Sequence, residues 1–490
     1  MSRTVFLSLS IPVILIVVDI IRKKRRGLPP GPPSYPLIRQ LLSVPTSFAY
    51  IEYRKLSRKL KSNVISFEFL GNTIVVLNSV ESANDLLDKR SAIYSDRTST
   101  TMLEHEQLLN WKDLVPLTPY GDRFRAYRRI FNAWLNKNAS TAFHPRHLLQ
   151  TRRMLNRLLQ YDGNVISSKA LEEHFYLLTA ASIMKTAYGY EVTSPGDPYL
   201  VNVKQVGENL VKSCLPTHFL VNLLPFLVHM PRWVPGTGWR QLAQEWRALK
   251  DKVIEDTFQW AKTQIENGAA EPSVVRSYLE DLTVGFSLFG AGTGTTAVSL
   301  EVFILAMLLY PNIQRKAQEE IDQVVGPDRL PEMDDLKSLP YLNNPVQEVL
   351  RWQVVFPVGI AHTCTQDNFY KGYLIPKGAI VFGNAWAMSR DETIYDRPEE
   401  FNPDRFNDRS VPQAPAFGWG RRKCPGVHYV ESLLGISIAS ILATFNLNIA
   451  KDKMGRDILP LVEDTPGFQR RHVPFTFLLG IPVGHSVSAI

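Results

Sequence analysis

Hydrophobic positions divide the chain into segments of different period. Residues Val5 to Ile21 are apolar except for Ser8, Ser10, Pro12 and Asp19, and the basic run Arg22-Lys23-Lys24-Arg25-Arg26 follows at once. Such a stretch is at the short limit, about 17 residues, of a membrane-spanning helix. A cleaved leader would carry its charge before the apolar core, whereas here only Arg3 precedes it. Val64 to Leu77 reads as a strand pair turned at Gly71-Asn72, and Phe369 to Phe382, with Gly372 and Pro376-Lys377-Gly378, as a second hairpin. From about Ser82 the pattern is mainly helical. Pro216 to Pro235 is rich in Leu, Phe, Val and Trp but broken by Pro225 and Pro231, so it is not one helix. Leu282 to Tyr310 carries one charge, Glu301, and by hydropathy alone is either a second membrane span or the buried spine of a large protein. Its small-residue centre, Gly290-Ala291-Gly292-Thr293-Gly294-Thr295-Thr296, favours the spine, because it lets a flat ligand approach the backbone. Val430 to Phe445 is a further apolar helix, and Asp464 to Leu479 reads as a terminal hairpin. The expected fold class is mainly α with a minor β region.

Composition narrows the partners. The 55 basic and 47 acidic side chains leave a net charge of +8. No basic run is interleaved with aromatic residues, so no nucleic-acid partner is expected, and lipid and protein partners are preferred. The basic excess after residue 21 should stay cytosolic, which puts the bulk of the chain in the cytosol on a single-pass N-terminal anchor. Leu28-Pro29-Pro30-Gly31-Pro32-Pro33 then forms a stiff linker. The expected organisation is an anchor with its basic stop-transfer run over 1–27 and one domain over 28–490. Asn138-Ala139-Ser140 has the pattern of a glycosylation acceptor but is unusable on the cytosolic side. Three widely separated cysteines, Cys214, Cys364 and Cys424, make neither a disulfide framework nor a zinc site.

One of those cysteines sits in a run of distinctive chemistry, Phe417-Gly418-Trp419-Gly420-Arg421-Arg422-Lys423-Cys424-Pro425-Gly426. Glycines allow a backbone course that side chains would forbid, Pro425 keeps the chain out of a regular ladder, and three cations before the sulfur favour the thiolate, the metal-binding form. A buried structural cysteine on a glycine turn is the plain alternative. Phe417, Gly420, Arg422, Cys424 and Gly426 fit F-x-x-G-x-R-x-C-x-G at all five fixed positions, which resembles the haem-binding loop of the cytochrome P-450 family, the haem-thiolate monooxygenases. The resemblance covers about residues 28 to 480. It implies the fold of that family, with a long central helix over the haem and small sheets, haem b (iron protoporphyrin IX) as cofactor and Cys424 as the axial ligand of its iron.

Other motifs agree with it. Leu28 to Pro33 resembles the proline-rich hinge of microsomal members. In Tyr120 to Arg129, Arg128 takes the place of the family's propionate-binding arginine, while the usual tryptophan is Phe124, which removes an indole N–H donor. His362 falls where relatives place a further propionate donor, with a satisfied core histidine as the plain alternative. Glu348 and Arg351 match the family's E-x-x-R pair, and Phe401 to Phe406 supplies Arg405, so a buried network bracing the haem loop is implied. On a surface the same pair would contribute only about 0.2 to 0.5 kcal/mol. Pro216 to Pro235 resembles the apolar helix pair that lids the substrate entrance, and the tip of the terminal hairpin near Gly467-Phe468 would reach the pocket. The central helix is similar to the pattern A-G-x-(D/E)-T-T, with Thr295 as the oxygen-activating threonine and Thr296 beside it. Two departures stand out: Gly294 occupies the acidic position, and Glu271 to Asp281 runs almost straight into the helix where relatives carry another short helix and loop.

The implied reaction is insertion of one oxygen atom from O2 into a small apolar molecule. The chain has no flavin or nicotinamide motif, so the electrons would come from an NADPH-cytochrome P-450 reductase docking near Arg421 to Lys423. In that scheme Arg128, Arg422 and His362 hold the propionates, Phe417 packs beside the thiolate, and Thr295 positions a proton-carrying water. The wording of Gly372 to Gly378 and of Pro466-Gly467-Phe468 looks most like fungal enzymes of secondary metabolism, which suggests a terpenoid, polyketide or indole substrate, terpenoid first by frequency, and places the chain at the endoplasmic reticulum membrane. The alternative, motivated by Gly294, is a haem-thiolate protein that binds or isomerises a ligand without activating O2.

Overall fold

The strand pair at residues 64–77 forms as its alternation predicts. In the computed structural model, which describes residues 27–481 apart from 37, 162, 215–217, 232, 464–468 and 471–472, β1 (Val64–Phe69) and β2 (Asn72–Leu77) pair antiparallel with Val64 opposite Leu77. The turn falls one residue earlier than expected, at Leu70-Gly71. Both have positive φ, 47° and 84°, the geometry whose twist suits a two-residue hairpin. The anchor and its basic run, residues 1–26, lie outside the described residues.

Ten helices of ten or more residues occur among the described residues. They are α1 (Ala49–Leu60), α2 (Asp122–Leu135), α3 (His144–Leu158), α4 (Ser168–Tyr188) and α5 (Pro198–Ser213). After them come α6 (Gly238–Glu266), α7 (Thr283–Leu309), α8 (Pro311–Val324), α9 (Pro340–Trp352) and α10 (Val427–Thr444). The packing resolves into two compact units. One comprises residues up to Thr98 with Phe356–Asp391 and Gly418–Lys423; the other comprises Ser99–Val355, Glu392–Phe417 and the chain from Cys424 onward.

The first unit is built on a mixed sheet. β7 (Ile380–Gly383) lies parallel to β2 and antiparallel to β4 (His362–Thr363), giving the order β1-β2-β7-β4. Ile65, Phe67 and Val76 are buried against Tyr53 of α1. The hairpin expected over 369–382 is shorter. β5 (Asn368–Tyr370) and β6 (Tyr373–Ile375) turn at Lys371-Gly372, and a bend at Gly378, φ 81°, carries β7 away into the larger sheet.

The second unit is organised around α7. Its apolar window is 72% buried within the protein, as expected of a core spine rather than a membrane span. The helix α10 is likewise apolar and two-thirds buried. Two glycines let α7 lie close to α4: a Cβ at Gly285 would come within 2.6 Å of the Tyr188 ring, and one at Gly292 within 2.7 Å of Ile183. Of the expected terminal hairpin, Thr476–Gly480 is the strand among the described residues (β9), and it pairs with the distant β8 (Asn446–Ile449) and β3 (Val165–Ser167), while the Val473 N–H bonds back to the Glu463 carbonyl at 3.0 Å. The expected tip at 467–468 lies outside the described residues.

Among the described residues of Pro216 to Pro235 there are two single turns rather than a helix pair. Pro225 starts the second, Pro225–His229, directly after Leu220–Leu223. Phe219, Val221 and Val228 are buried while Leu220, Phe226 and Trp233 are exposed. The short connection before α7 closes cleanly: Ser273 caps the turn Val274–Ser277, and Asp281 accepts the Thr283 backbone N–H at 2.9 Å and pairs with Arg123.

Candidate functional site

The cysteine loop ends at the N-terminus of α10, whose unpaired N–H groups favour an anion such as a thiolate. The Cys424 N–H donates to the Phe417 carbonyl at 2.8 Å, which closes the loop at its base, and Phe417 packs against the core of the second unit. A Cβ at Gly426 would stand 3.9 Å from the Cys424 sulfur, so glycine leaves that side of the sulfur open. Gly420 is required by the backbone. Its φ is 51°, and a Cβ there would meet the Leu87 carbonyl at 2.3 Å. Arg128, on α2 four residues after the buried Phe124, is the cation that senses the sulfur. Burial lowers its pKa, and the charge of Cys424 opposes that shift.

The centre of α7 has two sides. Gly290 and Ala291 are exposed and Gly294 and Thr295 half-exposed, in a helix that is mostly buried, so the spacing i, i+1, i+4, i+5 opens a small-residue notch along one face. Thr295 lies in the notch, its Oγ1 donating to the Ala291 carbonyl at 2.9 Å. Thr296 is separated from it. It is 1% exposed, and its hydroxyl is committed to the Gly292 carbonyl at 2.7 Å. Thr293 is likewise buried on the Phe289 carbonyl. At Gly294 there is room: a Cβ would reach ordinary contact, 3.8 Å, with the Gln469 carboxamide.

In the first unit the structure gathers cations that the sequence only partly disclosed. Arg422 donates through Nε to the Ser95 carbonyl at 2.7 Å, and His362 meets the Tyr94 carbonyl through Nδ1 at 2.7 Å. Arg97, missed by the motif reading, joins them. It is buried, its Nη1 donates to the Ile360 carbonyl at 2.7 Å and to that of Ala361, and its Nε–H, also buried, has no protein acceptor. Burial, then the charge of Arg422, lowers the pKa of Arg97 well below the arginine range. Burial, then the charge of Arg97, does the same to His362, with Arg422 adding to it. A carbonyl only accepts, so Nδ1 of neutral His362 carries the proton, and Nε2 donates only when the ring is protonated. Two guanidiniums and an imidazole that disfavour one another's charge, one with an orphaned N–H, fit an anion with several acceptor oxygens, as a pair of propionates has. Nothing around residues 94–97 announced this, because Arg97 is held by carbonyls more than 260 positions away.

The E-x-x-R pair forms the buried network the motif implied. Glu348 and Arg351 are fully buried and joined by two hydrogen bonds of 2.7 Å. Arg405 adds a bond to the same carboxylate at 3.2 Å, and the Asn402 N–H another at 2.8 Å. Arg351 further donates to the carbonyls of Pro398 and Glu400, which ties the segment to α9, and Arg405 donates to the Asp396 carbonyl within the segment.

Comparison with known proteins gives the same answer as this chemistry. The cytochrome P450 family model matches residues 29–477. Cytochrome P450 monooxygenase 98 of Postia placenta is 39% identical over 477 residues, covering 92% of this chain and 90% of the relative. Cytochrome P450 monooxygenase ple1 of Rhodocybe pseudopiperita is 37% identical over 468 residues, covering 91% and 88%. A relative from Armillaria gallica, also a cytochrome P450 monooxygenase, is 36% identical over 472 residues, covering 92% and 91%. These likenesses do not favour the reading without O2 activation. An accessible thiol at a helix N-terminus, a cation set suited to carboxylates, and relatives that match over nine-tenths of the sequence agree: the chain belongs to the cytochrome P450 family and is a haem-thiolate monooxygenase of fungal type.

Proposed function

We propose that the chain oxidises a small apolar secondary metabolite, a terpenoid first among the classes to test, using O2 and two electrons from an NADPH-cytochrome P-450 reductase. The observation that carries the reading is the Cys424 loop, closed on Phe417 and leaving its sulfur uncovered at Gly426. Haem b, when bound, supplies the iron at which O2 is reduced, and the thiolate pushes electron density toward it.

In this reading Cys424 would ligate the iron, and Arg128, Arg97, Arg422 and His362 would hold the propionates. Phe417 shields the sulfur side. Thr295 orients a proton-carrying water from the α7 notch, while Thr296, whose hydroxyl is committed within its own helix, keeps only a supporting place. Glu348, Arg351 and Arg405 hold the segment before the loop. The apolar turns at 219–234 suit an entrance for an apolar molecule, since Leu220, Phe226 and Trp233 stand exposed. The basic residues Arg421 and Lys423, both exposed, suit an acidic electron donor. Val5 to Ile21 with its basic run supports an anchor over 1–27 in the endoplasmic reticulum membrane, with 28–490 on the cytosolic side.

The test is turnover. Microsomes carrying the chain and a reductase, given NADPH, 18O2 and a panel of terpenoid, polyketide and indole skeletons, are expected to yield a product with one labelled oxygen. Consumption of neither O2 nor NADPH with any member, from a preparation with intact haem, would return the isomerase reading. Arg97→Leu is expected to retain haem about tenfold less well, the scale of one lost charged hydrogen bond, measured as haem per purified chain. Haem content equal to that of the unaltered chain would remove Arg97 from the propionate set.

A further inference from the structure

We propose that Gln469 is a positioning residue of the α7 notch, its carboxamide holding the water that a carboxylate at position 294 would otherwise hold beside Thr295. The inference rests on the monooxygenase reading above and goes beyond it.

Three observations meet here. The helix has no side chain at 294, and the Gln469 carboxamide stands opposite the gap, with Nε2 3.8 Å and Oε1 3.9 Å from where a Cβ would be. The Nε2 group is buried and has no acceptor in the protein. Leaving such a donor unmade costs about 1 to 3 kcal/mol, so an acceptor small enough for the site is expected, and water meets that need. Finally, the backbone that carries Gln469 is anchored at the next residue: Arg470 is buried and its backbone N–H donates to the Val355 carbonyl at 2.9 Å. The Thr295 hydroxyl spends its proton on Ala291, which leaves its lone pairs to accept from a neighbouring water.

A carboxamide neither gains nor loses a proton over the working pH range, so its contribution is orientation, not acid catalysis. The balance shows what orientation decides. Productive turnover takes O2, two electrons from the reductase and two protons, and yields one inserted oxygen and one water. The unproductive route returns the same two electrons and two protons as hydrogen peroxide. A well-placed water delivers the second proton where it leads to water.

The decisive variant is Gln469→Leu, nearly equal in volume but without donor or acceptor. With the holoenzyme, a reductase and 7-ethoxycoumarin as apolar probe, the ratio of peroxide to product is expected to rise roughly three- to tenfold, the scale of one water-mediated hydrogen bond. The carbon monoxide difference band and the dissociation constant of the probe should stay as they are. Gly294→Asp, for which the Cβ has room, is expected to lower the ratio, and in that background Gln469→Leu should change it by less than twofold, because the carboxylate then holds the water. A high-resolution structure of the unaltered holoenzyme should show an ordered water bonded to Gln469 Nε2. An unchanged ratio in Gln469→Leu, a weaker probe affinity in place of altered coupling, or an Nε2 closed on the protein itself would each overturn the proposal while leaving the monooxygenase reading intact. Loss of the thiolate-type carbon monoxide band in the unaltered chain would instead overturn that reading, and this inference with it.

Discussion

Cys424→Ser is expected to abolish the long-wavelength Soret band that the reduced, carbon monoxide-treated chain shows, and with it all NADPH-dependent oxygenation. The argument is chemical before it is structural. Serine keeps the loop, since the 2.8 Å bond to Phe417 comes from the backbone N–H and the open side at Gly426 is unaffected by the side chain. What it removes is the thiolate. A hydroxyl stays protonated even at a helix N-terminus and beside Arg128, so it cannot give the electron push that thiolate ligation supplies. The variant should therefore fold, with unchanged circular dichroism, while rate falls below detection. A retained long-wavelength band would mean that Cys214 or Cys364 is the ligand. Neither suits the role: burial raises both thiols, Cys214 to about 12, and the Cys364 sulfhydryl donates to the Gln366 carbonyl.

The largest effect on stability is expected at Glu348. Its carboxylate accepts two bonds from Arg351, one from Arg405 and one from the Asn402 N–H, with no solvent access to soften a loss. Glu348→Gln keeps the volume but turns an amide N–H2 toward guanidinium donors and leaves two buried cations without their counter-charge. Breaking one partner of a buried pair costs about 3 to 5 kcal/mol. The thermal midpoint of the holoenzyme should drop by roughly 3 to 5 °C. Lys316→Ala is the control, because the Lys316–Asp404 pair is half-exposed on both sides and such pairs contribute about 0 to 1 kcal/mol. If both variants melt alike, the network is not what holds the 396–405 segment to α9.

The sequence disclosed most where chemistry and local order coincide. The β1–β2 hairpin, the apolar spine α7 and the E-x-x-R pair each carry their signal within about thirty residues, and each forms as the residue pattern suggests. The failures have a common physical cause. The alternation of β9 says strand but not partner, and the strands it pairs with lie about 30 and 310 positions away. β7 was assigned to its neighbour in sequence when its hydrogen bonds go to β2, some 300 residues earlier. Arg97 and Gln469 escaped for the same reason: their meaning comes from carbonyls and a bare helix position supplied by distant segments.

The glycines of α7 carry a last consequence, for how such a protein changes over generations. Position 285 is closed to an added carbon by the tyrosine ring of α4, whereas at position 292 only the tip of the isoleucine side chain stands in the way. Position 294, two residues from one of them, has room for a side chain without moving the backbone. Variation in this helix is thus channelled by geometry. The seam against α4 is fixed at position 285, while the notch is free to explore new polar and apolar groups, so a lineage can retune what its oxygen chemistry acts on at little risk to its fold.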